Sequence, residues 1–234
     1  MCDSMRMDAN HRLLASIFSD RLLALRPRSV LDVGCGAGLL LERCRAADVR
    51  AVGIEPRFES LRLTAGTCAQ ADAGALPFAS ASFDWVTMRH VPHHLEHPRA
   101  AFAEAWRVAR TGLLIAEPWY DTTVPSLDTA LAADRWLKRQ DRRRGMVHAD
   151  ILSAGELIAL LPAADAQWEL QTHIALGAQD AEELQTLARE ALGGAMPSAE
   201  DAEELEGLLA RARDGGVARN GTLILRALKL PGTG

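Results

Sequence analysis

The chain has 234 residues, of which 48% are hydrophobic and 24% are charged, and its formal net charge at pH 7 is -5. This composition is typical of a globular protein rather than a disordered one, and the length suits one α/β domain. The acidic net charge argues against a general nucleic-acid-binding protein, because such proteins usually carry a basic excess.

The targeting and redox features of the sequence predict a cytoplasmic protein. The N-terminal stretch lacks the basic start and apolar core of a signal peptide, and no window reaches the roughly 18 apolar residues of a membrane span. The cysteines form no CxxC pair and no metal-ligand spacing, so we expect a protein without disulfides. They are Cys2, Cys35, Cys44 and Cys68.

The first half of the chain is predicted to alternate between helices and strands. A helix is expected within residues 1–28, where apolar residues recur at helical spacing. Such alternation predicts a parallel sheet covered by helices on both faces. We expect strands at 29–33, 49–54, 67–71, 83–88 and 113–116, the last with its exit at 117–118, and helices at 39–47, 59–65 and 99–110.

The regular alternation lapses after the fifth strand, where residues 121–150 are interpreted as a helical insertion that builds part of a substrate pocket. Ser153 followed by Glu156 is a capping box, which predicts a helix over 153–161. Farther along, we expect strands at 168–175 and 222–230 and helices at 180–192 and 199–213.

A glycine-rich loop follows the first strand in the stretch VLDVGCGAGLLL and opens the next helix. Gly34, Gly36 and Gly38 permit positive φ angles and let a ligand approach the backbone, while the helix N-terminus offers free amide donors. The loop therefore predicts a binding site for a small polar or anionic ligand.

Two carboxylates narrow the choice of ligand. Asp32 stands two residues before the first glycine, where it would repel a diphosphate but suit an ammonium group. Glu55 ends the second strand, where it can accept hydrogen bonds from ribose hydroxyls, although a solvated strand end is the alternative. A ligand with a ribose, a cationic amine and no phosphate fits both carboxylates.

Four motifs in order resemble those of class I S-adenosylmethionine-dependent methyltransferases, and most closely the methyltransferase type 11 branch. They are VLDVGCGAG, VGIEP, ADAGALPF and SFDWVTMRHVPHHLEHP. The resemblance implies a Rossmann-like, doubly wound, seven-stranded and mostly parallel sheet whose last strand is antiparallel. It also implies S-adenosylmethionine as cofactor, S-adenosylhomocysteine as product and a small-molecule substrate. We expect no nucleic-acid or membrane partner, and a monomer or homodimer.

The resemblance also implies a domain plan and the residues that hold the cofactor. One domain, 1–234, would comprise a helical cap (1–28), a cofactor-binding core (29–117), a substrate-side insertion (118–150) and the C-terminal part of the sheet (151–234). Glu55 would hold the ribose, and Asp72 would accept from the adenine amino group unless it only caps a turn. The expected cofactor residues are Asp32, Gly34, Cys35, Gly36, Gly38, Glu55, Pro56, Asp72, Ala73 and Arg89.

Candidate groups for catalysis and for the methyl acceptor follow the fourth and fifth strands. A general base helps only an acceptor that must lose a proton, and the candidates for this role are His90, Glu117 and His148. For the acceptor the candidates are Trp119, Tyr120 and His94; core packing is the alternative for the aromatic pair, and capping or packing of the next helix for His94 and its neighbour His93. The histidines at 90, 93, 94 and 97 invite a metal interpretation, but no cysteine or carboxylate cluster supports it, and no metal is expected.

The sequence departs from the family pattern in two places. Residues 109–112 replace the usual proline-glycine-glycine turn between helix and strand, and Pro92 replaces a usual leucine.

The acceptor is interpreted as a planar aromatic or nitrogen-heterocyclic intermediate of secondary metabolism. The alternatives are a non-catalytic protein that binds S-adenosylmethionine and an NAD(P)-dependent oxidoreductase, which the GxGxG spacing and Asp32 disfavour.

Overall fold

The computed structural model describes residues 9–56, 67–162, 166–174 and 177–230. The helices in these ranges are α1 (Ala9–Ala24), α2 (Leu39–Ala46), α3 (Pro98–Val108), α4 (Pro125–Arg143), α5 (Ala154–Ala159), α6 (Ala181–Leu192) and α7 (Ala199–Gly215). The strands are β1 (Ser29–Val33), β2 (Arg50–Ile54), β3 (Cys68–Ala69), β4 (Phe83–Arg89), β5 (Ala109–Trp119), β6 (Gln167–His173), β7 (Ala178–Gln179), β8 (Val217–Ala218) and β9 (Gly221–Leu228).

The main sheet has seven strands in the order β3-β2-β1-β4-β5-β9-β6. The pairs β1–β2, β1–β4, β2–β3 and β4–β5 are parallel. All five residues of β1 are buried, as expected for a central parallel strand that helices cover on both faces. The strand order reverses between β1 and β4, and open α/β sheets bind ligands beside the carboxyl ends of the strands at such a point.

The strand that comes last along the chain, β9, is antiparallel to the rest of the seven-stranded sheet. This confirms the expected fold class. Gly112 near the start of β5 lies against Ala227 near the end of β9, so close that a methyl group on Gly112 would lie 2.0 Å from the Ala227 carbonyl oxygen. In the same way Gly221 at the start of β9 lies against His173 at the end of β6. Glycine is needed at both positions because the backbones of the paired strands approach so closely.

Two compact units make up the described chain. The larger comprises 15–117, 152–171 and 223–234, and the smaller 1–14, 118–151 and 172–222, each as far as it is described. An apolar cluster in the larger unit includes Phe18, Val30, Trp85 and Leu114. In the smaller unit Ala133 and Trp136 of α4 pack with buried residues of α6 and α7. The four-part plan of a single domain stays a prediction.

Most predicted elements are confirmed within one or two residues, but β5 differs. It runs from Ala109 to Trp119, so the predicted turn at 109–112 and the predicted exit at 117–118 are wrong. The reason is tertiary: Ala109 already pairs with Phe83 of β4, and Arg110 forms an ion pair with Asp84 at 2.5 Å. The predicted helix 59–65 lies outside the described residues.

Two further predictions concern cysteines and membrane crossing. Cys35, Cys44 and Cys68 are free thiols, and Cys2 lies outside the described residues. Among the helices described here, none combines the length and the apolar character that crossing a membrane requires.

Candidate functional site

The carboxyl ends of four neighbouring strands of the larger unit bring the predicted site residues to one edge of the sheet. Asp32 lies near the end of β1, and Glu55 directly follows β2. Arg89 ends β4, and Glu117 lies near the end of β5. The site is therefore assembled by the sheet topology from residues that are far apart along the chain.

The glycine loop has the backbone conformation that its sequence predicts. The φ angles of Gly34, Gly36 and Gly38 are 72°, 50° and 82°, all in the left-handed region that favours glycine. The amides of Gly34 and Cys35 both donate to the Ile54 carbonyl, at 2.8 and 3.0 Å. These two hydrogen bonds fix the start of the loop on β2.

The reasons for glycine differ along the loop. A methyl group on Gly34 would lie 2.4 Å from Val91 Cγ2, so the close neighbour at this position is a side chain of the protein, which the sequence did not predict. A methyl group on Gly36 would have no heavy atom of the described chain within 4 Å. The space over Gly36 is therefore the part of the loop that a ligand can approach.

Cys35 packs away from that space. A methyl group on Gly53 of β2 would lie 2.5 Å from the Cys35 sulfur, so the thiol occupies the room that this glycine leaves. Burial raises the pKa of Cys35 to about 12, and the thiol therefore stays protonated at neutral pH. A contact of the Cys35 backbone with the cofactor stays a prediction.

Asp32 is a buried carboxyl group with defined partners. The hydroxyl of Thr87 donates to Asp32 Oδ1 at 2.8 Å. Burial raises the pKa of Asp32 to about 6, while the Thr87 hydrogen bond and the charge of Arg89 oppose that rise. Burial in turn lowers the pKa of Arg89, and the charge of Asp32 partly offsets this. A cationic ligand would stabilise the ionised form of Asp32.

Glu55 is also buried, at 3% exposure, so the alternative of a solvated strand end is wrong. Its Oε2 accepts a hydrogen bond from the Gly36 amide at 3.3 Å, which places the carboxylate beside the open part of the loop. Pro56, which follows, is exposed. Two buried carboxyl groups thus adjoin the glycine loop, Asp32 in the strand before it and Glu55 at the Gly36 amide.

Asp72 and Ala73 lie in the turn that follows β3. Asp72 is exposed, and its Oδ1 accepts from the Gly74 amide at 2.8 Å. Asp72 therefore caps this turn, which was the alternative to a contact with the adenine amino group. Ala73 is half-buried. Their contact with the cofactor stays a prediction.

The histidine-rich stretch after β4 contains a buried hydrogen-bonding contact. His93 Nδ1 lies 2.7 Å from Glu117 Oε2, with side-chain exposures of 5% and 0%. His93 was not among the predicted site residues, and its predicted role as a helix cap is wrong, because His97 is the N-cap residue of α3. The exposed His94 follows, with its ring 4.2 Å from the His93 ring. No local sequence pattern signals this pair, because His93 and Glu117 come together only through the pairing of β4 with β5.

His90 turns the chain away from the end of β4. Its φ angle is 55°, a left-handed conformation that is uncommon for a residue with a side chain. The His90 amide donates to the Ala116 carbonyl of β5 at 2.8 Å. A proton-transfer role for His90 stays a prediction.

The smaller unit brings Tyr120 and His148 into one polar network. Tyr120 is half-buried against the apolar cluster of this unit, and burial, then Asp134, raises its pKa well above the ordinary value. Lys138 Nζ lies 3.1 Å from Asp134 Oδ2, and His148 Nδ1 lies 2.7 Å from Asp141 Oδ2. Burial lowers the pKa of His148, which the hydrogen bond with Asp141 opposes.

The network includes charged residues that the sequence interpretation missed. Asp134, Lys138 and Asp141 recur at i, i+4 and i+7 on α4, which places them on one face of the helix. The helical spacing of these three charged residues is the sequence signal that could have predicted the network. Trp119, the other aromatic candidate, is half-buried at the end of β5.

The basic run at the end of α4 is exposed but paired with acidic groups. Arg142 lies 3.0 Å from Asp150, and Arg144 lies 3.0 Å from Asp141. Arg143 forms an ion pair with Asp201. Each of these three arginines is therefore paired with a carboxylate of the smaller unit.

Comparisons with known proteins agree with this geometry. Residues 31–116 match the methyltransferase domain family. An uncharacterized 37.1 kDa protein from a transposon of Streptomyces fradiae is 30% identical over 152 residues, which cover 58% of this chain and 44% of that protein. Malonyl-[acyl-carrier protein] O-methyltransferase of Hahella chejuensis is 38% identical over 95 residues, which cover 37% of this chain and 34% of that protein. The chain therefore spans less than half the length of these curated relatives.

A solved structure shares the fold over nearly the whole chain. The YcgJ protein of Bacillus subtilis superposes with a TM-score of 0.65 at 18% sequence identity. The superposition covers 93% of this chain and 100% of that one. At this identity the likeness shows a common fold.

Proposed function

We propose, from the match of residues 31–116 to the methyltransferase domain family, that the protein transfers a methyl group from S-adenosylmethionine to a small molecule. The observation that carries the proposal is the glycine loop with two buried carboxyl groups next to it. Asp32 and Glu55 come from adjacent strands, and the space over Gly36 lies open beside Glu55.

The residues present fit S-adenosylmethionine, which is the cofactor of this family, with S-adenosylhomocysteine as the product. The buried carboxyl of Asp32 suits the ammonium group of the methionine part. Glu55 can accept hydrogen bonds from both ribose hydroxyls, and the open backbone at Gly36 allows close approach. When bound, the cofactor supplies a methyl group that its sulfonium already activates for displacement.

The chain then has to align the acceptor and exclude water, since an activated methyl group needs little other help. We assign the acceptor to the nitrogen, oxygen or carbon nucleophiles of planar aromatic or nitrogen-heterocyclic intermediates of secondary metabolism. Two features support this class: the half-buried ring of Trp119 at the end of β5, and the network of Tyr120 and His148 in the smaller unit. Aromatic rings align flat molecules by stacking.

The test is release of S-adenosylhomocysteine from S-adenosylmethionine in the presence of a panel of phenols and nitrogen heterocycles. We expect at least one acceptor to raise release above the rate without acceptor, and Asp32→Asn to abolish the increase. A protein that binds the cofactor but releases no product with any acceptor would instead be a non-catalytic binding protein. A folded protein that binds neither form of the cofactor would contradict the proposal altogether.

A further inference from the structure

The segment from His90 to His94, here called the 90–94 segment, joins two parts of the site. At its start, the His90 amide bonds to Ala116 of β5 at 2.8 Å. A short 3-10 turn, Pro92–His94, follows, and its first two residues are buried. The 90–94 segment is therefore bonded to the neighbouring strand β5 directly after β4 ends.

One side of this segment rests on the glycine loop. The Val91 side chain occupies the position next to Gly34, where a methyl group would come within 2.4 Å of Val91 Cγ2. Because Gly34 begins the loop and is held on β2 from the other side by the Ile54 carbonyl, Val91 limits how far the loop can move.

The other side is held by the contact of His93 with Glu117. Both side chains are buried, and they approach to 2.7 Å. A buried carboxylate is stabilised by a close hydrogen-bonding partner, and removing one member of such a pair leaves the other with its full desolvation cost. The contact therefore holds the 90–94 segment to β5 in a defined position.

We propose that His93 and Glu117 are positioning residues for the methyl donor: their contact fixes the 90–94 segment, and Val91 transmits that fixed position to Gly34. The inference rests on the proposed function, because it assigns to the glycine loop the methionine end of the cofactor. It gives Glu117 a role in aligning the donor, in place of the proton-accepting role that its strand-end position suggests. Alignment matters because small displacements of reacting groups cost large factors in rate.

The test compares Glu117→Ala, Glu117→Gln and Val91→Ala, with S-adenosylhomocysteine as the probe in isothermal titration. Glu117→Ala is expected to weaken binding about tenfold, because the buried His93 imidazole loses its hydrogen-bonding partner. Glu117→Gln keeps a side chain of the same shape that can donate to or accept from His93 Nδ1, and it should stay within about twofold of the wild type. Val91→Ala should weaken binding in the same direction as Glu117→Ala.

Coupling between the two contacts is the sharper readout. If both act through Gly34, the double variant Glu117→Ala/Val91→Ala binds no more weakly than Glu117→Ala alone, whereas independent effects would add. Asp84→Ala is the matched control at the opposite end of β4, where Asp84 accepts from the Arg28 amide at 2.8 Å. It should lower stability without changing the affinity for S-adenosylhomocysteine.

Two results would overturn the inference while leaving the proposed function intact. One is unchanged affinity in folded Glu117→Ala and Val91→Ala proteins. The other is a Glu117→Gln protein that binds normally but turns over a hundredfold or more slowly, which would make Glu117 a proton acceptor. If Glu117→Ala does not fold, Val91→Ala decides alone. A wild-type protein that fails to bind the probe would overturn both proposals.

Discussion

Burial raises the pKa of the Asp32 carboxyl group from 3.8 to about 6. A pKa raised by folding means that the folded state prefers the protonated form, so the stability associated with Asp32 is present at low pH and is lost as pH rises from about 4 to about 6. A difference of about two pKa units corresponds to about 3 kcal/mol. At neutral pH the ionised form of Asp32 therefore lowers stability, and strongly shifted pKa values of this kind are concentrated at functional sites.

A cationic ligand reverses the preference of Asp32, and this gives the first prediction. Affinity for S-adenosylmethionine should rise as pH increases through about 6, because the ionised carboxylate binds the ammonium group. Titrations from about pH 5 to about pH 8 should show the rise in the wild type and a flatter profile in Asp32→Asn. A steep profile that survives in Asp32→Asn would assign the dependence to another group.

The second prediction separates the two reasons for glycine in the loop. Gly34→Ala should lower the free energy of unfolding by about 2–4 kcal/mol, because the new methyl group meets Val91 and φ is positive. Gly36→Ala has the positive φ but open space, and should cost about 1 kcal/mol. Urea denaturation of both variants gives the comparison.

Rescue provides the control for the Gly34 prediction. Adding Val91→Ala to Gly34→Ala removes the methyl groups that clash and should recover part of the lost stability. Equal losses in Gly34→Ala and Gly36→Ala, with no recovery in the double variant, would show that backbone conformation alone requires these glycines.

At the scale of helices, Asp201 links α7 to α4 within the smaller unit. It is 1% exposed, its amide donates to the Oγ of the N-cap residue Ser198, and its carboxylate pairs with Arg139 at 3.3 Å. Its carbonyl accepts from the Trp136 indole at 3.0 Å. This one buried residue therefore bonds to the N-cap of α7 and also contacts two side chains of α4.

The third prediction follows from these contacts. Asp201→Ala should lower the free energy of unfolding by about 1–2 kcal/mol, because the partly exposed Arg139 and Arg143 lose a buried carboxylate partner while the backbone contacts of residue 201 remain. Glu200→Ala is the matched control, since Glu200 is exposed in the same helical turn and should change stability by less than about 0.5 kcal/mol. Similar urea midpoints for the two variants would show that the Asp201 contacts contribute little.

The elements show what sequence patterns can and cannot predict. Ser153 and Glu156 form the predicted capping box, and the start of α6 at Ala181, after its N-cap residue Asp180, was predicted within one residue, because caps are local chemistry. The start of β5 was placed four residues too late, since Ala109 joins the sheet by pairing with a strand distant in sequence. The strands β7 and β8 were missed because two residues carry no periodicity.

The site divides in the same way. The glycine loop, Asp32 and Glu55 were predictable because one short motif and one strand end contain them. The partners His93 and Thr87 were not, because each becomes a partner only through the pairing of β4 with its neighbours. Similarly, α4 was predicted only as a helical insertion, and the burial of Lys138 beside Asp134 was not apparent from its sequence.

For the whole molecule, sheet order is the link between sequence and function. The reversal between β1 and β4 opens the sheet at the carboxyl ends of these strands, where the glycine loop, Asp32 and Arg89 lie. Composition, with a net charge of -5, bears on partners but not on this arrangement. The central claim is therefore that this edge binds the methyl donor.

Isothermal titration of S-adenosylhomocysteine into the wild type and Glu55→Ala tests that claim most directly. We predict saturable binding at one site in the wild type and a loss of about 1–3 kcal/mol in Glu55→Ala, because the ribose loses charged hydrogen bonds. A folded wild-type protein that gives no binding heat, or a Glu55→Ala protein that binds as tightly as the wild type, would contradict this account of the site.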